Sequence, residues 1–99
     1  MKKITLAKDV ATDIRINITG LDLSNVVDVI FIISKYGQED IELSYLGNDI
    51  TIFSNYVIVS IPVYTLPVTG LYNIRLKIID QYNDLRELNL RGYNLLATV

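Results

Sequence analysis

Apolar and polar residues alternate with a period of two along most of this chain, and no other feature limits its fold as strongly. Residues 14–19 read IRINIT and residues 41–45 read IELSY. Side chains of a β-strand point alternately to its two faces, so such segments are strands with one buried face. A surface helix would instead place apolar residues every three or four positions. The sequence therefore predicts an all-β protein with no helix longer than one turn.

Turn residues divide the chain into about eight predicted strands. Gly37, the Gly47–Asp49 run and Ser54–Asn55 mark turns, while Pro62 and Pro67 bracket a segment that cannot lie inside a sheet. Short strands separated in this way are typical of a sandwich of two antiparallel sheets. The predicted strands cover residues 4–8, 14–19, 26–35, 41–45, 50–53, 56–61, 71–80 and 85–99.

A chain of 99 residues has room for one domain, which we place at residues 1–99. The last predicted strand runs to the final residue with no polar tail after it. This fits the N-terminal domain of a longer chain, or a strand that pairs with a neighbouring subunit.

The composition excludes several kinds of chemistry. Cysteine and histidine are both missing, which excludes disulfide scaffolds, zinc held by thiolate or imidazole, and thiol or serine–histidine catalysis. Nine basic and eleven acidic residues give a net charge of −2, which argues against nucleic-acid binding. No apolar run reaches the roughly 18 residues that cross a membrane. We expect neither enzymatic activity nor a cofactor nor a metal.

Apolar residues make up 51% of the chain and charged residues only 20%. A domain of this size buries roughly 60–70% of its unfolded surface, so it cannot hide every apolar side chain. Either the core is unusually rich or a partner covers part of the surface.

The segment around Tyr72 refines the predicted fold. Tyr72 follows Gly70 at the start of the penultimate strand, and Ile74 lies two residues further on. A tyrosine in this place is the tyrosine corner of immunoglobulin-like sandwiches, in which its hydroxyl bonds to upstream backbone. The sequence thus predicts an immunoglobulin-like β-sandwich with about 7–8 strands, and Tyr72 as an ordinary strand residue is the alternative.

Several motifs resemble those of small β-sandwich domains in bacteriophage and prophage structural proteins, such as the N-terminal domains of tail, baseplate upper and fibre proteins. They are spread along nearly the whole chain, at residues 3–8, 13–16, 22–33, 57–62 and 66–76, with Asp80 and Arg86. The turn at 80–84 departs from the pattern because it lacks a glycine. The resemblance implies a module that attaches a fibre or baseplate element to a virion, and it implies no catalytic residue.

The strand at 26–34 carries the predicted interface. Alternation assigns Val27, Val29, Phe31 and Ile33 to the core, and leaves Ile30 and Ile32 facing water in a monomer. On the strand predicted beside it, the core face is Tyr72, Ile74, Leu76 and Ile78. The candidate interface is an apolar centre with a polar and basic rim: Ile30, Ile32, Asn73, Arg75 and Lys77. The alternative is that the last strand, or lysine and arginine stems, cover the two isoleucines.

Three other groups of residues give weaker signals. Asp80, Asn83 and Asp84 offer oxygen ligands for calcium, but these are also common turn residues. Glu39 and Asp40 are too close in sequence to flank one glycosidic bond from a strand. Among the seven tyrosines, Tyr36 and Tyr82 lie in turns that could meet at one end of the fold and bind a sugar.

These observations predict a non-enzymatic structural or attachment module of a phage virion, acting through protein–protein contacts in a tail, baseplate or fibre assembly. Its partners would be other structural subunits or further copies of itself in a homo-oligomer, with no nucleic acid and no membrane. The charged Lys8 and Asp9 interrupt any secretion signal after Met1, so we expect assembly in the host cytoplasm. The alternative is a carbohydrate-binding or cell-surface adhesion module.

Overall fold

A computed structural model describes residues 2–18, 20, 23–82 and 85–98. Within these residues the protein is all-β, as predicted, and contains no helix that could span a membrane. Its strands are β1 (Lys2–Ala7), β2 (Thr12–Asn17), β3 (Val26–Ser34), β4 (Ile41–Ser44), β5 (Ile50–Ile52), β6 (Tyr56–Ile61), β7 (Gly70–Asp80) and β8 (Leu85–Thr98).

The strands form two sheets, which confirms the predicted layering. The larger sheet has the order β1-β8-β7-β3-β4 and the smaller has the order β2-β6-β5. The prediction that both sheets are antiparallel is wrong, because β1 pairs parallel with β8, with Ile4 opposite Leu95 and Ala7 opposite Thr98. The two strands come from opposite ends of the chain, so no turn between them fixes their relative direction.

β8 pairs with β7 in two segments. Asn73 lies opposite Asn94, whereas Arg75, two residues further along β7, lies opposite Asn89, five residues back along β8. β1 pairs with the second segment of β8 alone, from Tyr93 onwards. In the part of the chain described, the 85–90 segment has β7 on one side and no strand on the other.

The inner faces of both sheets share one apolar core. The predicted core face of β7 is confirmed, since Tyr72, Ile74, Leu76 and Ile78 are all buried. On β3, Val29, Phe31 and Ile33 are buried as predicted. Val27 is not: its side chain is 45% exposed, because the pairing of β3 with β7 shifts register between Val26 and Asp28. A β-bulge of this kind turns a side chain out of the simple alternation.

Candidate interaction surfaces

The outer face of the larger sheet brings the predicted interface residues together. Across the β3–β7 pair, Ile30 lies opposite Lys77, Ile32 opposite Arg75, and Ser34 opposite Asn73. Residues directly opposite on paired strands point to the same face. Ile30, Ile32, Asn73, Arg75 and Lys77 therefore form one contiguous surface, which we call the outer face.

Ile32 does not face water, and that part of the prediction is wrong. Its side chain is only 2% exposed, and Ile30 is half-buried. Arg75 lies directly across from Ile32 on β7, and its guanidinium lies within 3.5 Å of Glu87 and 3.7 Å of Asp40. Long basic side chains often lay their aliphatic stems along neighbouring apolar surface. The alternative interpretation, in which a basic stem covers the isoleucine, fits this geometry.

Exposed apolar residues lie at the two ends of the outer face instead of at its centre. Leu71 pairs with Leu96 at one end, and Ile79 pairs with Leu85 at the other. Leu71 is 41% exposed and Leu85 is 58% exposed. The exposed leucines therefore flank Arg75 and Lys77, in place of the predicted apolar centre with a polar and basic rim.

Tyr72 is buried and its hydroxyl bonds to the chain four residues upstream. The hydroxyl donates to the Val68 carbonyl at 2.7 Å and accepts from the Val68 N–H at 3.2 Å. Gly70, two residues before it, has φ of 121°, where a side chain is strained, and a Cβ there would lie 2.8 Å from Lys35 Nζ. The same Lys35 ammonium lies 5.5 Å from the centre of the Tyr72 ring.

Tyr36 and Tyr82 lie at opposite ends of the sandwich, so the prediction that they meet is wrong. Tyr36 follows the end of β3 and Tyr82 follows the end of β7, and these two strands are antiparallel. Tyr64, which no sequence pattern singled out, shares the end with Tyr36. It is 72% exposed, and its backbone has φ of 59° and donates an N–H to the Lys8 carbonyl at 2.7 Å.

A shallow depression of about 370 Å³ lies between the loop that carries Tyr36 and the loop that carries Tyr64. The loop after β3, the start of β4 and the loop after β6 supply its lining, which combines four polar residues with an isoleucine and a proline: Gln38, Glu39, Asp40, Ile41, Thr65 and Pro67. Both tyrosines are within two residues of this lining in sequence, and both are exposed. Amide, carboxylate and hydroxyl groups beside an aromatic ring are the groups that can bind a polyol.

The candidate calcium ligands do not assemble into a site among the residues described. Asp80 accepts the Tyr82 N–H at 2.9 Å, which is a turn-forming bond. Asn83 and Asp84 lie outside the described residues, and no group of three acidic side chains that could hold a metal occurs within them. Asp40, considered above with Glu39, contacts Arg75.

The sandwich has an open side between β2 and the first segment of β8, which the sequence pattern did not reveal. A cavity of about 230 Å³ opens there, with a mainly apolar lining: Ile4, Ile14, Ile16, Ile74 and Leu90, together with Arg15 and Asn17. Alternation had shown which face of β2 is buried, but it does not reveal which strands lie at the edge of a sheet.

No protein-family model matches this chain, and no curated protein matches it in sequence.

Proposed function

We propose that this chain is an immunoglobulin-like, non-catalytic module that acts through protein–protein contacts within a larger assembly. The strand order supports the first part of the proposal. β2, β6 and β5 follow the order of immunoglobulin strands B, E and D, and β8, β7, β3 and β4 follow G, F, C and C′. Tyr72 lies at the start of the strand that corresponds to F, where the tyrosine corner is found.

The residues exposed on the outer face support the proposal that the module binds other proteins. Leu71 and Leu85 expose apolar surface at its two ends, and Arg75, Lys77 and Glu87 supply charges between them. Burying such leucines releases water, while the charges select a partner of matching pattern. A partner that spans the sheet would contact both leucines at once.

The assembly we propose is a phage virion, in which the module would attach a tail, baseplate or fibre component. The motifs at residues 66–76 and 22–33 support this choice through their resemblance to virion structural domains. Other structural subunits are then the partners that would cover the outer face.

The proposed function is tested by density-gradient sedimentation of virions, prepared from a culture of the organism that encodes this chain. We expect the wild-type chain to sediment with particles on a density gradient, at a fixed ratio to another structural protein. The double variant Leu71→Glu/Leu85→Glu should remain at the top, because it places charges at both exposed leucines. Val10→Glu is the matched control, since Val10 is 54% exposed in the loop between β1 and β2. A wild-type chain that stays at the top, or a double variant that still sediments with particles, would contradict the proposal.

Carbohydrate binding is a second candidate, favoured by the exposed Tyr36 and Tyr64, which lie within two residues in sequence of the lining of the depression. A sugar ring would pack on a tyrosine while its hydroxyls bond to Gln38, Glu39 or Thr65. Titration of a glycan panel, followed by amide chemical shifts, should then perturb the loops at 35–40 and 62–69. Tyr36→Ala and Tyr64→Ala should abolish the response, and Tyr82→Ala at the opposite end should preserve it. A panel that leaves both loops unperturbed would exclude this candidate.

A further inference from the structure

β2 forms the longer of the two edges of the smaller sheet. It pairs over all six residues with β6, without a register shift, and no other strand pairs with it in the described part of the chain. The opposite edge, β5, has only three residues. An unprotected edge strand presents a row of free N–H and C=O groups, which is a template for another strand.

The backbone hydrogen bonds show which residues of β2 present these free groups. Ile18 donates its N–H to the Asn55 carbonyl at 2.9 Å, in continuation of the β2–β6 pairing. Because hydrogen-bonded and non-hydrogen-bonded positions alternate in an antiparallel ladder, Ile14 and Ile16 also bond towards β6. Asp13 and Arg15 therefore direct their N–H and C=O groups towards the free edge.

The side chains of these two residues carry opposite charges on the solvent side of β2. Asp13 and Arg15 are exposed and flank Ile14, which is 6% exposed and points into the core. Asp13 makes no side-chain hydrogen bond or ion pair with any described residue. Arg15 lies over the Tyr56 ring at 3.8 Å, and its Nε donates to Asn17 Oδ1 at 3.0 Å.

We propose that two copies of the chain pair antiparallel through β2, with a two-fold axis at Ile14. Asp13 of each copy would then lie opposite Arg15 of the other, so the two residues exchange both backbone hydrogen bonds and form two ion pairs across the interface. The Arg15 guanidinium would exchange its hydrogen bond to the neutral Asn17 side chain for a bond to the Asp13 carboxylate of the other copy. A hydrogen bond between two charged groups is the stronger of the two. The product is a continuous six-stranded sheet.

A two-fold axis allows several registers of the two β2 strands, and the charges of Asp13 and Arg15 favour the one with the axis at Ile14. An axis at Arg15 would bring the two arginines face to face, and an axis at Asp13 would do the same to the two aspartates. A strand slipped by one residue would place core side chains opposite solvent-facing ones. The axis at Ile14 alone pairs opposite charges and places Ile14 against its own copy.

The cavity beside β2 adds an apolar contribution to the same contact. Ile14, Ile16 and Leu90 line this opening, and Ile16 is only half-buried in one copy of the chain. A second copy at the β2 edge would cover the opening and remove part of its lining from water.

Sedimentation equilibrium over a range of concentrations tests the pairing. We expect the wild-type chain to dimerise reversibly. Asp13→Arg and Arg15→Asp should each raise the dissociation constant by about tenfold or more, because each replaces two attractive pairs with two repulsive ones. The double variant Asp13→Arg/Arg15→Asp should restore the dimer, since it exchanges the charges without changing their match.

Mixing the two single variants gives a stricter test of the register. Asp13→Arg carries arginine at both positions and Arg15→Asp carries aspartate at both, so every cross-strand pair between the two variants joins opposite charges. An equimolar mixture should therefore form a heterodimer. Lys3→Asp is the control, because it changes the net charge as much as Arg15→Asp but lies exposed on β1 of the other sheet. A wild-type chain that is monomeric up to its solubility limit, single variants that dimerise like the wild type, or a mixture that stays monomeric would each overturn the proposal.

This pairing goes beyond the proposed function because it uses the edge of the smaller sheet and leaves the outer face free. The variant Leu71→Glu/Leu85→Glu should therefore still dimerise, even where it no longer joins a particle. Loss of the dimer in that variant would overturn the assignment to β2. Failure of the particle experiment would leave the dimer experiment unaffected.

Discussion

The Tyr72 hydroxyl holds together a loop that has no sheet pairing of its own. It bonds to both the N–H and the C=O of Val68, in the segment between β6 and β7. We expect Tyr72→Phe to lower the free energy of unfolding by about 1–2 kcal/mol, because the backbone groups of Val68 lose their buried partner. Urea denaturation measures this change, and Tyr82→Phe, at a 75% exposed position, is the control. Equal stability of the two variants would contradict this role.

Ile32 and Ile30 lie on the same strand face, yet the structure predicts different costs for shortening them. Ile32 is 2% exposed, so Ile32→Ala should cost about 2–4 kcal/mol of unfolding free energy. Ile30 is half-buried, and Ile30→Ala should cost about 1 kcal/mol. Chemical denaturation of the two variants under the same conditions checks the order. A larger loss for Ile30→Ala than for Ile32→Ala would contradict this difference in burial.

At the scale of elements, the hairpin of β5 and β6 was predicted correctly because its signals are local. Ser54 and Asn55 form its two-residue turn, and Phe53 donates its N–H to the Tyr56 carbonyl at 2.9 Å. The Phe53 and Tyr56 rings stack with centroids 4.5 Å apart and so add a side-chain contact to the turn. The contacts between β5 and β6 join residues that are close in sequence.

The bulge at the start of β3 could not be predicted in the same way. Asp28 Oδ1 accepts the Val29 N–H at 2.9 Å and the Leu46 N–H at 3.2 Å, and the latter residue lies beyond β4. A carboxylate that satisfies two backbone donors stabilises a register shift that alternation does not show.

Removal of this carboxylate should therefore destabilise the bulge. We expect Asp28→Ala to lower the free energy of unfolding by about 1–2 kcal/mol and to shift the amide resonances of Val29 and Leu46. Asp9→Ala, in the exposed loop after β1, should change neither quantity. Thermal or urea unfolding together with amide spectra measures both effects. Unchanged Val29 and Leu46 resonances in Asp28→Ala would contradict this account.

At the scale of the whole molecule, β3 and β7 form the centre of the larger sheet and are paired on both sides. Amides bonded between them should exchange hydrogen only on global unfolding, whereas amides on the edges β1 and β5 should exchange through local opening. Native-state hydrogen exchange at increasing denaturant separates the two classes. A uniform exchange free energy across centre and edges would show that the sheet opens only as one unit.

The sequence by itself determined the strand class, the positions of the turns and most of the inward faces, because the period of two and the turn residues act over a few positions. The tertiary structure decided that β1 runs parallel to β8, that Arg75 lies opposite Ile32, and that among the described residues only β6 pairs with β2. Those features depend on contacts between distant residues, such as the bond from the Thr98 hydroxyl to the Leu6 carbonyl, 92 positions apart. A local pattern shows which side of a strand is apolar, but only packing determines what covers the other side.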